Sequence, residues 1–141
     1  MKLKVRKLHK DAKVPTLGSE GAACYDVFST EDYTFVPQDS RKISTGLAYE
    51  VPRGYELEVR PRGSLGARQL IILNSPGTLD SDYRGELFIL LRNISSRNIK
   101  VSKGDRIAQV KLNPVIPLEF EESEELSKTE RGGGSLGSTG Q

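Results

Sequence analysis

Asp80 stands in Asn74-Ser-Pro-Gly-Thr-Leu-Asp-Ser-Asp-Tyr-Arg-Gly85, a polar stretch between two strongly apolar runs. Pro76-Gly77 is a tight-turn signal, so the stretch reads as the elaborated mouth of a β-hairpin. Such a mouth presents backbone donors and acceptors at fixed spacing, a good template for the edge of a nucleobase. Asp80 follows the apolar Leu79 on the returning strand. Partial burial there would let its carboxylate act as a general base toward water. A turn aspartate bonded to its own backbone accounts for the same residues. Sequence alone leaves both readings open.

Two further stretches suit an anion. Arg60-Pro-Arg-Gly-Ser-Leu-Gly66 ends an alternating run with arginines, Gly and Ser, which makes either a phosphate cradle or a solvated surface loop. Ser64 is an expected N-cap for a short helix around Leu65 to Gln69. The last eleven residues, from Arg131, include five Gly and only Leu136 as an appreciable apolar side chain. That segment has too little hydrophobic surface to offset its own ordering. Its N–H groups, hydroxyls and Arg fork suit an arm that orders around a phosphate; a frayed terminus has the same composition. Gly21 to Ser29 and Lys103 to Gln109 are weaker, since a core strand explains each without a ligand.

Residue counts remove other chemistries. The chain has one Cys, Cys24, and one His, His9, so it can form neither an internal disulfide nor a Cys/His zinc site. A Ser-His-Asp triad would have to use His9, which sits among Lys7, Lys10 and Asp11. A carboxylate base and a hard, oxygen-bound ion such as Mg²⁺ are what remain. The net charge of +2 gives no argument for nucleic acid. Apolar runs such as Leu87 to Leu91 are too short to span a bilayer, and the Lys-rich start lacks a signal-peptide core, which points to a cytoplasmic protein.

The elements that must position these residues are strands. Short apolar or alternating runs cover Leu3 to Leu8, Tyr33 to Val36, Arg41 to Tyr49, Tyr55 to Arg60, Leu70 to Leu73, Glu86 to Arg92, Asn98 to Val101 and Ile107 to Val115. Turn residues separate them, and Tyr55 to Arg60 alternates at period two. At 141 residues this is one all-β domain, a jelly roll or sandwich. From Glu119 an acidic run leads into the glycine-rich end, so the expected division is a core over 1–118 and an arm over 119–141.

Taken in order, five stretches resemble the motifs of the homotrimeric dUTPase family: Ala23 to Ser29, Pro61 to Gly66, Gly77 to Gly85, Gly104 to Gln109 and Arg131 to Gly140. The resemblance implies a distorted jelly-roll β-barrel with a flexible C-terminal arm. It also implies a threefold trimer with active sites at subunit interfaces. The implied activity is Mg²⁺-dependent hydrolysis of dUTP to dUMP and pyrophosphate, limiting uracil incorporation into DNA and supplying dUMP. Asp80 matches the family's general base, Tyr83 the residue against the deoxyribose, and Asn74 the side chain that reads uracil with the hairpin backbone. Arg62 and Gln109 match phosphate contacts; Asp26 and Gln109 match groups on waters around Mg²⁺. Arg131, Ser138 and Thr139 match the arm's grip on the terminal phosphates. Gly63, Ser64, Gly77, Leu79, Leu136 and Gly137 fall at substrate-contacting positions of the same motifs.

Departures from the family pattern stand at Leu136, where Phe is usual, at Ser135, at Cys24, and at Arg62-Gly63-Ser64 in place of Arg-Ser-Gly. Leu136 forfeits an aromatic stack of about 1–3 kcal/mol per base. Two relatives of the same fold remain as alternatives, a dCTP deaminase and a non-catalytic nucleotide sensor.

Overall fold

Period-two alternation in the sequence becomes two larger sheets and a two-stranded one around a single apolar core. The protein is described by a computed structural model over residues 1–140. In chain order its elements are β1 (Lys4–Lys7), β2 (Thr16–Leu17), β3 (Tyr25–Phe28), β4 (Tyr33–Phe35), β5 (Ser40–Glu50) and β6 (Tyr55–Arg60). Helix α1 (Gly63–Ala67) follows, then β7 (Leu70–Ile72), β8 (Gly77–Leu79), β9 (Glu86–Asn93), β10 (Ile99–Val101) and β11 (Arg106–Pro114). One sheet runs β1-β5-β9-β7, the other β2-β3-β11-β6-β8, and β10 pairs with β4 alone. This is the jelly roll that the turn spacing predicts. Among the described residues no helix is long and apolar enough to cross a membrane.

Inward-facing Ile43, Leu47, Ile89, Leu91 and Ile107 are essentially without solvent contact. Asn93 lies fully buried among them and is held on every side. Its amide donates to the carbonyls of Phe35 (3.1 Å) and Arg97 (2.7 Å), while its Oδ1 accepts from the backbone and hydroxyl of Ser95. It therefore ties β9 to β4 and to the turn before β10.

Strand β5 is interrupted. It pairs Ser44 with Phe88 and then Ala48 with Glu86, so Thr45 to Leu47 stand opposite Leu87 alone. Gly46 makes this bulge possible, with φ at 64° and a Cβ position only 2.8 Å from that of His9.

Strand β2 has no counterpart in the sequence expectation, and two further elements differ from it. Helix α1 starts at Gly63, its N-cap is Arg62, and no side chain caps it. Ser64 is thus inside the first turn, and its hydroxyl accepts from Arg62 Nη1 at 3.3 Å. Leu65 has to reach the core, which sets the helical turn directly after Pro61. The second difference is β8, a strand within the stretch read as a hairpin mouth. Its neighbours β7 and β9 do pair as a hairpin, Ile72 with Leu91. After Pro114, no residue of 115–140 belongs to a strand or helix, and the Val115 N–H bonded to Gly54 O (2.8 Å) is the last backbone tie to the core.

Asn93→Ala should lower stability by about 2–4 kcal/mol in urea unfolding, because Ser95 and two carbonyls lose buried partners. A loss under about half a kcal/mol would contradict this role.

Candidate active site

Strand β8 leaves its hairpin neighbours and pairs with β6 in the opposite sheet, Leu79 with Leu57 and Gly77 with Val59. The hairpin consequently gapes around a cavity of about 350 Å³, lined by Asn74, Gly77, Thr78, Leu79, Asp80 and Tyr83. Because β8 is the edge of its sheet, one row of its N–H and C=O groups has no strand partner. That row complements a planar heterocycle with alternating donors and acceptors. Gly77 allows the Asn74 amide close to it, since a Cβ at Gly77 would stand 3.3 Å from Asn74 Nδ2.

The turn beyond β8 is tightly fixed. Asp80 O accepts from Tyr83 N (3.2 Å), and Arg84 Nη1 donates to the carbonyls of Ser81 (2.7 Å) and Tyr83 (2.9 Å). The Tyr83 ring lies on Gly85, where a Cβ would come within 2.3 Å of the phenol oxygen, and its hydroxyl donates to Glu86 O at 3.0 Å. Among the described residues no hydrogen bond reaches the Asp80 carboxylate, so it is not a turn cap. Neither is it partly buried as the sequence suggests: it is exposed, because β8 ends before it.

A second cavity, of about 300 Å³, is lined by Asp26, Arg62, Gly63, Ser64, Arg106 and Gln109. Asp26, 7% exposed, accepts from Arg62 Nε at 2.8 Å and Arg106 Nη1 at 3.3 Å. Gln109 Nε2 donates to Pro61 O at 2.8 Å, which leaves its Oε1 as an acceptor. Two guanidinium groups around one buried carboxylate leave a net positive, pre-positioned pocket suited to an anion. Sequence reasoning missed Arg106. Strict alternation puts residues 106 and 109 on opposite faces; a bulge between Arg106 and Ala108 brings them to the same one.

These two cavities share no lining residue. The β6–β8 register, carried one residue past the Leu57–Leu79 pair, sets Asp80 level with Glu56, six residues before Arg62. At about 3.3 Å per residue of extended chain, Asp80 and Arg62 are held roughly 20 Å apart. The arm residues Arg131, Leu136, Gly137, Ser138 and Thr139 line neither cavity, and Arg131 Nε instead donates to Gly134 O at 3.0 Å. Leu136 is fully exposed.

The dUTPase family model matches residues 10–140. The chain belongs to the dUTPase family. It is 47% identical over 141 residues to the deoxyuridine 5'-triphosphate nucleotidohydrolase of Nautilia profundicola, covering 99% of each chain. The enzyme of the same name from Helicobacter pylori strain P12 is 42% identical, with 99% of this chain and 97% of that one covered. Among solved structures, the dUTPase of Staphylococcus bacteriophage 80alpha with dUPNHPP superposes at a TM-score of 0.91, with 28% identity and 99% of both chains covered. In this dUTPase chain the base-sized cavity and the anion pocket are thus separate, with Asp80 and Arg62 toward opposite ends of β6.

Arg62→Ala should weaken pyrophosphate binding about tenfold or more in titration calorimetry. An unchanged dissociation constant would place the anion elsewhere.

Proposed function

We propose that this protein hydrolyses dUTP to dUMP and pyrophosphate at sites shared between neighbouring copies of a homotrimer. The observation that carries the reading is the uncommitted Asp80 carboxylate at the rim of a base-sized cavity, well away from the chain's own anion pocket. A triphosphate is far too short to bridge roughly 20 Å of extended strand. The Asp80 end of one copy therefore meets the Arg62 end of another, and closed threefold symmetry gives every copy both neighbours.

Uracil enters the hairpin, where the free edge of β8, Gly77 to Leu79, and the Asn74 amide read its polar edge. Cytosine leaves buried donors or acceptors unpaired there, and thymine's methyl has no room. Tyr83 packs on the deoxyribose and occupies the space of a 2′-hydroxyl. Asp80 takes a proton from a water as that water attacks the α-phosphorus. The bond from this phosphorus to the bridging oxygen breaks, and pyrophosphate leaves. Arg62, Gly63, Ser64, Arg106 and Gln109 of the adjoining copy hold the phosphates. The arm, residues 119–141, closes with Arg131, Gly137, Ser138 and Thr139 on the terminal phosphates and Leu136 over the base, excluding bulk water.

The donor set fits a hydrated Mg²⁺ and not a directly ligated one. Both Asp26 oxygens already accept from arginines, so Asp26 and Gln109 Oε1 are placed to accept from metal-bound waters. Bound through the triphosphate, Mg²⁺ would offset phosphate charge and hold one arrangement.

Pyrophosphate release from dUTP should fall about 10²–10⁴-fold in kcat for Asp80→Asn, with dUTP still bound. EDTA should abolish turnover in the unaltered enzyme. Turnover surviving Asp80→Asn would refute the assignment of the base, and ammonia release from dCTP with no pyrophosphate release from dUTP would refute dUTP hydrolysis as the reaction. Leu136→Phe should lower KM by gaining a stack worth about 1–3 kcal/mol.

A further inference from the structure

We propose that Glu86 is a positioning residue for sugar discrimination: its carboxylate, lodged in the β5 bulge, fixes the backbone on which the Tyr83 hydroxyl rests. This inference rests on Tyr83 being the residue against the deoxyribose.

The bulge opposite Leu87 takes Gly46 out of the β5–β9 ladder, leaving its N–H without a strand partner. Glu86 Oε1 fills that place, accepting from Gly46 N at 2.8 Å and from Ser44 Oγ at 2.5 Å. Ser44 is itself set by its neighbours, for Thr30 Oγ1 donates to Ser44 Oγ at 2.8 Å and Ser44 N to Glu31 Oε1 at 3.2 Å. One carboxylate oxygen thus gathers two donors from a framework that is rigid before any ligand arrives. Hydrogen bonds to an ionised acceptor are about twice as strong as neutral ones.

The same residue faces the site through its backbone. Glu86 O receives the Tyr83 hydroxyl at 3.0 Å, and the ring rests on Gly85, immediately before it. Tyr83 is 43% exposed, so packing alone does not fix its ring. Its position follows from the Gly85 surface and from where Glu86 holds the carbonyl. Without the carboxylate, β9 keeps only its Ala48 pairing at this end, next to a broken stretch of ladder. A ring that shifts or swings then opens space for a 2′-hydroxyl. Glu86 also lines the cavity beside Tyr83; the role assigned to it is the one it plays through the Tyr83 hydroxyl.

The test compares kcat/KM for dUTP and UTP in the full chain carrying Glu86→Ala, Glu86→Asp, Glu86→Gln or Tyr83→Ala, each checked by circular dichroism and thermal melting. Glu86→Asp keeps the charge but falls a methylene short of the bulge, and it decides the matter if Glu86→Ala does not fold. Glu86→Gln retains an acceptor oxygen at full reach. The expected result is a dUTP/UTP preference reduced about tenfold or more in Glu86→Ala and Glu86→Asp, but held within about threefold in Glu86→Gln. Tyr83→Ala should erase most of it. A purely structural role would lower the melting temperature and leave the ratio alone. An unchanged ratio in folded Glu86→Asp, while Tyr83→Ala collapses it, overturns the role of Glu86. An unchanged ratio in Tyr83→Ala overturns the sugar-facing reading of Tyr83, and this inference with it.

Discussion

Strand β6 is the constraint on which the rest of the structure depends. It is hydrogen-bonded along both edges, to β8 on one side and β11 on the other, so it cannot shorten or bend to bring its ends together. Its Tyr55 end stands beside Asp80; its Arg60 end stands beside Gln109 and leads directly to Arg62. The outer face between them is polar. Glu58 bonds Arg60 at 2.5 Å and receives the Asn113 amide, and the Arg60 guanidinium holds its carboxyl below the usual range. Such a rod keeps Asp80 and Arg62 apart within one chain.

Each half of the site is organised before a ligand arrives, by a different physical device. In the anion pocket a buried carboxylate does it: Asp26 holds two guanidiniums that would otherwise repel, and leaves their outer N–H groups for phosphate. In the hairpin the device is backbone placement. Arg84 clamps two carbonyls of the turn, Gly85 receives the Tyr83 ring, and Glu86 anchors the start of β9 in the bulge. Preorganised groups need no reorganisation when charge develops in the transition state. The arm is the opposite case. Leu136 is exposed and the glycines offer little to bury, so the arm has little of its own to set against the entropy of ordering.

Strands with clear alternation were legible in the sequence, and Tyr55–Arg60 matches residue for residue. So were the hairpin pairing of β7 with β9 and the grouping of Asp26, Arg62 and Gln109 in one cavity. What periodicity could not show was where the period breaks. The bulge between Arg106 and Ala108 hid Arg106 from the anion pocket, and the bulge in β5 hid the purpose of Glu86. Strand β8, whose Leu79 the sequence puts on the returning strand of the hairpin, pairs with β6 instead; three residues ending a Pro-Gly turn carry no pattern that names so distant a partner. Ser64 as a helix cap failed for a related reason, since burial of Leu65 outweighed capping preference. The exposure of Asp80 follows from β8 ending at Leu79, a boundary that the local pattern does not mark.

Subunit complementation tests the division of the site most directly. Two variants, Asp80→Asn and Arg62→Ala, each impaired alone and assayed at low dUTP, would be unfolded together and refolded as mixed trimers. If one copy supplies the carboxylate and another the guanidinium, about a quarter of the sites in a random equal mixture carry both intact, and dUTP turnover returns accordingly. Mixed trimers that stay as impaired as the separate variants would mean that a single chain brings both groups to one dUTP, and the shared site would be refuted.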